Sequence, residues 1–237
     1  MGKYNLKANC VNDIPIFVKR GFAMNENKKL NIIAAADIHG KRSVYKSIAY
    51  RARQKEIDLV ILAGDLTRYR DDALEEEIKE ILNSIRKPIL FVMGNDDEQE
   101  WRSEGNLVNI NEKRYIFNGV PFTGYQYSNP FIGGPFEKDE LQQGGDLERL
   151  RSLVEEETVL VTHNPCYGIL DEPEPGRHVG GKELLKLCNE RKPKYHIFGH
   201  IHESAGVQEN HFNVSYPVKK SILKIEYYSG EYEFIKV

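Results

Sequence analysis

Short apolar runs broken by polar residues punctuate the chain at 30–36, 58–63, 89–93, 158–162 and 195–198. Runs of this length without alternation read as strands buried on both faces. Between them the apolar spacing becomes helical. Val44, Ile48 and Ala52 share a face over 44–53. Ile78, Ile81, Leu82 and Ile85 share another over 73–85, with Pro88 beyond the end. Further helices are predicted over 146–156 and 182–191. This alternation of strand and helix points to an α/β architecture.

The middle of the chain has another texture. Over 106–127 it reads as short strands, with Asn118-Gly119 as a hairpin turn. The stretch 128–145 carries Gly and Pro together with Phe131 and Phe136. It is too long for an idle connection, and reads either as a functional loop over an active site or as a hydrophobic plug or flap. After residue 202 come strands at 206–208, 212–215, 221–228 and 232–237. Residues 1–29 are polar and carry no recognisable chemistry; an edge strand over 14–18 is the one element they allow.

Each of the five buried runs ends in residues that can bind a cation. Asp37-Ile38-His39 follows the first, Gly64-Asp65 the second, Gly94-Asn95-Asp96 the third, His163 the fourth and Gly199-His200-Ile201-His202 the fifth. In open α/β sheets ligands bind beyond the carboxyl ends of the strands. Asp37, His39, Asp65, Asn95, His163, His200 and His202 are therefore expected to form one cluster. Of the seven histidines, four stand at strand ends; only His178, His196 and His211 lie elsewhere. Nitrogen and oxygen donors without thiolate suit Mn, Fe, Zn, Co or Ni over Ca or Mg.

Composition narrows the reading. A chain of 237 residues with 40% hydrophobic content folds, and one domain over 1–237 is expected. Lys+Arg 33 against Asp+Glu 36 gives a net charge of -3, so no global basic field holds a nucleic acid. No apolar run approaches the ~20 residues that span a bilayer, and a cytoplasmic location is expected. The cysteines, Cys10, Cys166 and Cys188, are odd in number and unpatterned. They read as buried free thiols, with a Cys166 nucleophile as an unsupported alternative.

In this order and spacing the motifs resemble those of the calcineurin-like metallophosphoesterases, over most of the chain between 37 and 202. The resemblance implies a four-layer α/β/β/α sandwich with two mixed sheets, and places the late strands in the second sheet. It also implies two divalent ions: Asp37, His39 and His202 would hold one, Asn95, His163 and His200 the other, and Asp65 would bridge them. With two carboxylates such a site keeps a charge of about +2, which favours an anionic phosphate ester. A water shared between two ions ~3.5–4 Å apart loses its proton near neutral pH and can attack phosphorus.

Two positions depart from the family pattern. Asp96 stands where many members have a His after the motif Asn, and Arg68 where many have an Asp three residues after the bridging Asp. A salt bridge between Asp96 and Arg68 is expected to fill the same space and leave Asp96 ill suited to donate a proton. Leaving groups that need little protonation should then be preferred, and the segments 163–168 and 199–204 look closest to the phosphodiesterase-like branch. The expected activity is hydrolysis of a small or activated phosphodiester. A phosphomonoesterase, a nuclease and a non-catalytic scaffold of the same fold are the alternatives. Asp65, Asn95, Asp96 and His163 are the candidate catalytic residues, and Arg42, Asn95 and Arg68 the candidates for phosphate binding. Tyr125, Tyr127, Phe131 and Phe136 are candidates for stacking on a substrate ring.

Overall fold

The computed structural model describes residues 28–68 and 70–237; the edge strand expected over 14–18 and Cys10 lie outside them. β1 (Asn31–Ala35), β2 (Leu59–Ala63), β3 (Ile89–Val92) and β4 (Leu107–Asn109) run parallel in one sheet. Helices α1 (Arg42–Ala52) and α2 (Asp72–Asn83) connect the first three. A second sheet is built from β5 (Tyr115–Phe117), β6 (Val120–Tyr125), β7 (Val159–Thr162) and β8 (Tyr195–Phe198), with β9 (Gly206–Gln208) and β10 (His211–Asn213) at its far edge. Helices α3 (Glu140–Arg151) and α4 (Lys182–Arg191) cover it; a short α5 (Tyr216–Lys219) follows β10.

The two-residue period of the strands divides their side chains between cores. Ile33, Ala35, Val60 and Leu62 pack beneath α1 and α2 with Tyr45, Ile48, Ile78 and Leu82. Their neighbours Ile32, Ala34, Leu59 and Ile61 meet Phe122, Val159, Val161, Ile197 and Phe212 of the second sheet. A third core, with Leu160, Leu147, Leu150, Leu184 and Leu187, joins α3 and α4 to the outer face of that sheet. The layers are α/β/β/α, as the resemblance implies.

Three expectations need correction. The late strands do not all join the second sheet. β11 (Ser221–Glu226) and β12 (Tyr232–Lys236) extend the first, β11 lying antiparallel against β1. The third helix begins at Glu140, not 146, because Asp139 and Gln142 close a capping box that outweighs Gly144 and Gly145 within the helix; it ends at Arg151. Of the proposed stacking aromatics, Tyr125 is buried and donates its hydroxyl to Asp146, and Phe136 plugs the core beneath α1 and α2. Tyr127 packs on these cores under the Lys138 ammonium. Only Phe131 remains exposed. The stretch 128–145 is thus a plug at Phe136 and a loop at Phe131.

Candidate metal centre

The carboxyl ends of β1, β2 and β3 in one sheet and of β7 and β8 in the other open onto the same region. The chain turns sharply there. Asp37, His39, Asp65 and His200 all take left-handed backbone, with φ of 56°, 49°, 51° and 72°. Such residues cost about 1–3 kcal/mol each and persist where the surroundings fix them. Here the turns fix one another: Asp37 N donates to Gly64 O at 3.0 Å, and His39 N to Asp65 O at 3.0 Å. The motif glycines make room for the side chains. A Cβ on Gly94 would collide with Asp65 Oδ1, and one on Gly199 would stand 2.5 Å from Asp37 Oδ2.

All seven candidate ligands occupy this region in two connected groups. In the first, His202 Nε2 lies 3.4 Å from Asp37 Oδ1 and His39 Nε2 lies 3.9 Å from Asp65 Oδ2. Donor atoms of Asp37, His39, Asp65 and His202 all fall within 4.8 Å of one another. In the second, His163 Nε2 is 2.9 Å from Asn95 Oδ1 and 3.4 Å from Asp65 Oδ1, and the His163 and His200 rings lie 5.0 Å apart. The two oxygens of Asp65 thus face different groups.

Proton accounting shows that the residues suit cations. His163 Nδ1 lies 3.0 Å from Ala63 O, which can only accept, so that nitrogen carries the ring proton. Burial holds the His163 pKa below its ordinary value, so the ring is neutral and Nε2 is a bare lone pair. It faces the oxygens of Asn95 and Asp65. Acceptors so converged repel one another unless a cation or a shared proton lies between them, and imidazole with amide and carboxylate oxygen is a transition-metal donor set. The donors fit two divalent ions.

Electrostatics agree. Burial raises the Asp65 carboxyl well above the usual carboxylate range, and the charges of Asp37 and Asp97 push it further. Burial acts the same way on Asp37, but hydrogen bonding to His202, the nearby imidazoles and the Ser215 hydroxyl outweigh it and hold Asp37 well below that range. Burial pushes the His200 ring down to about 3 and lowers His39. These rings are neutral and ready to ligate.

Asp96 faces His39 Nδ1 at 3.1 Å, without the alignment of a hydrogen bond, and Arg68 Nε at 3.4 Å. The Arg68 pair expected from the sequence is present; the approach to His39 is not foreseen by it. Arg42, at the start of α1, pairs instead with Glu77 of α2. Sequence reasoning also misses two supports. Ser215 Oγ donates to Asp37 Oδ2 at 2.6 Å. The buried carboxylate of Asp97 accepts from the backbone of Leu66, Thr67 and Gly94, joining the loops that carry Asp65 and Asn95. Asp97 is visible only as a second Asp after the Asn motif, and nothing in the sequence singles out Ser215.

A loop borders the site. Gly134 packs against the Asn95 carbonyl. The backbone N–H groups of Phe131, Ile132 and Gly133 donate to the Glu137 carboxylate at 2.8 to 2.9 Å. This holds the Phe131 ring edge-on to His200, centroids 6.0 Å apart, with Phe131 73% exposed.

The calcineurin-like phosphoesterase family profile matches residues 30–204. A UPF0046 protein of Caenorhabditis elegans, K07C11.7, is 32% identical over 177 residues, covering 65% of this chain and 59% of the relative. The 3',5'-cyclic adenosine monophosphate phosphodiesterase CpdA of Escherichia coli K12 is 26% identical over 167 residues, covering 68% of this chain and 60% of the relative. The chain thus spans less than two thirds of the length of both. Among solved structures, the TT1561 protein of Thermus thermophilus is similar in fold, with a TM-score of 0.66 at 13% identity over 88% of this chain and 99% of that one. Among the described residues no helix is long and apolar enough to cross a membrane.

Proposed function

Because the chain belongs to the calcineurin-like phosphoesterase family, we propose that it is a two-metal phosphoric ester hydrolase acting on a small phosphodiester with a good leaving group. The observation that carries the diester reading is Asp96. It takes the position after the motif Asn and faces both His39 and Arg68. It is placed to accept and not to protonate a departing alkoxide, and no imidazole stands there in its stead. Esters whose leaving group departs without an added proton suit such a site. The phosphodiesterase activity of CpdA, a relative at 26% identity, supports the same direction.

Divalent cations held by Asp37, His39, Asp65, Asn95, His163, His200 and His202 would polarise a phosphoryl oxygen and acidify water near neutral pH. The protein's own part is positioning. Ala63 O fixes the His163 tautomer, and Ser215 and the His200 backbone N–H orient Asp37. Asn95 and the Arg68 guanidinium are assigned to phosphate oxygens; Arg42 would have to leave Glu77 to join them. Phe131 offers an apolar face to the organic part of the ester.

The test is to strip the protein of metal, reload it with Mn, Zn, Ni or Co in turn, and compare an aryl phosphodiester with the matching monoester. Hydrolysis should need metal, favour the diester and vanish in Asp65→Asn. Activity that survives stringent chelation or that substitution would sink the two-metal assignment, whereas a monoester preference would overturn only the argument from Asp96. In Arg68→Ala, metal content should hold while kcat/KM falls about 10-fold or more; equal loss of metal and activity would count against its assignment to phosphate.

A further inference from the structure

A second set of donor side chains lies in the outer core of the second sheet, and the proposed reaction uses none of them. His196 on β8 and His211 on β10 are paired in register on adjacent parallel strands. Their neighbours Ile197 and Phe212 face the inter-sheet core, so the period of two turns both histidines to the opposite face, toward α4. Cys166, from the loop after His163, and Cys188, from the last turns of α4, descend onto the same point. All four are buried or nearly so, with Cys166 and His196 fully enclosed.

Ligand atoms of Cys166, His196 and His211 all fall within 4.8 Å of one another, and Cys188 adjoins the group through Cys166. His196 Nδ1 lies 3.0 Å from His211 Nδ1 and 3.7 Å from Cys166 Sγ, and Cys166 Sγ lies 3.5 Å from Cys188 Sγ. Tetrahedral zinc, with Zn–S about 2.3 Å and Zn–N about 2.0–2.1 Å, separates its ligand atoms by about 3.3 Å for N to N, 3.6 Å for N to S and 3.8 Å for S to S. The three edges given above follow these in kind.

The tautomer of His196 points the same way. Thr162 Oγ1 donates its single proton to Asn164 O at 2.6 Å, so at 2.8 Å it must accept from His196 Nε2. His196 Nδ1 is therefore an unprotonated lone pair aimed at His211 and Cys166. A ligating histidine commonly has its far nitrogen fixed in this manner by a second partner. Burial keeps His196 neutral and raises the Cys166 thiol well above its ordinary value. That removes Cys166 as a free nucleophile; a bound cation would displace the thiol proton and compensate the thiolate.

We propose that Cys166, His196 and His211, joined on metal binding by the adjacent Cys188 as fourth ligand, form a closed structural site for a tetrahedral thiophilic dication, zinc first among them, distinct from the catalytic pair. Closed four-ligand sites are structural. This one ties α4, β8 and β10 to the loop that leaves His163, and so braces two of the strand ends that carry the catalytic ligands. It does not depend on the proposed reaction.

Cobalt substitution of the whole protein tests it. A thiolate-to-cobalt charge-transfer band with intense tetrahedral d–d absorption should appear in the wild type and persist in Asp65→Asn, whose catalytic ligands are impaired. In Cys188→Ser the band should weaken sharply, and the zinc content of the protein as isolated should drop by one equivalent relative to the wild type. A cobalt-loaded wild type without a thiolate band overturns the proposal whether or not the cysteine variant folds. So does a Cys166–Cys188 disulfide, found by alkylation of unreduced protein isolated without added oxidant. A pair of buried thiols beside a simple His–His hydrogen bond would give the first of these outcomes.

Discussion

Asp65 and His202 are the candidate ligands at which protons would compete with metal. Burial and the charge of Asp37 hold the Asp65 carboxyl above its usual range. Burial lowers His202, but its hydrogen bond to Asp37 and that carboxylate's charge outweigh this and leave it above an ordinary imidazole. A cation needs both groups bare, so its binding expels protons and acid opposes it. Each proton expelled weakens affinity about 10-fold per pH unit of acidification. Between about pH 8 and about pH 6 the affinity for Mn or Zn should therefore fall, most steeply at the acid end. Titration calorimetry in buffers of different ionisation enthalpy should record protons leaving. Affinity flat with pH would mean that neither group holds a proton in the free site. The candidate ligands could be picked out in the sequence because each stands within a few residues of the end of an apolar run. Their supports were not, since Ser215 reaches Asp37 across 178 positions and only the folded chain joins them.

Among the elements, buried strands were the most readable, because an unbroken apolar run flanked by turn residues has few alternatives. α3 was the least. Gly144-Gly145 reads as loop, and the stabilising feature lies upstream: Asp139 accepts from Gln142 N at 2.8 Å while Gln142 Oε1 accepts from Asp139 N at 3.0 Å. A helix weakened by two internal glycines leans on its cap, as each costs about 1 kcal/mol against alanine. Asp139→Ala should thus lower stability by about 0.5–2 kcal/mol, seen as a lower urea midpoint at unchanged slope. Metal content should be unaffected, since α3 carries none of the candidate ligands. Loss of metal in that variant would show that α3 braces the centre in a way its position does not suggest. The short α5 carried no readable signal, since at four residues it has no period.

At the scale of the whole molecule, the segment after residue 204, where the family profile stops, finishes both sheets. β11 covers the edge of β1 that would otherwise be open, and β10 does the same for β8. Ala36 N donates to Val214 O at 3.1 Å and Tyr216 N to Ala36 O at 3.0 Å, so this segment is bonded to the turn that presents Asp37. It also buries Phe212, Val214, Ile222, Leu223 and Ile225. At about 1.5–3 kcal/mol for each such side chain, their loss amounts to roughly 8–15 kcal/mol, comparable with the ~5–15 kcal/mol net stability of a typical domain. A chain ended after Ser204 should accordingly show no cooperative denaturation and take up no metal. Ser215→Ala in the full chain separates fold from site: it removes one hydrogen bond, worth about 0.5–1.5 kcal/mol, and should leave cooperative unfolding in place. Metal affinity in that variant should fall about 10- to 100-fold, as when the partner orienting a ligand is lost. A truncated chain that still unfolds cooperatively and binds metal would show that the matched segment stands without its last four strands.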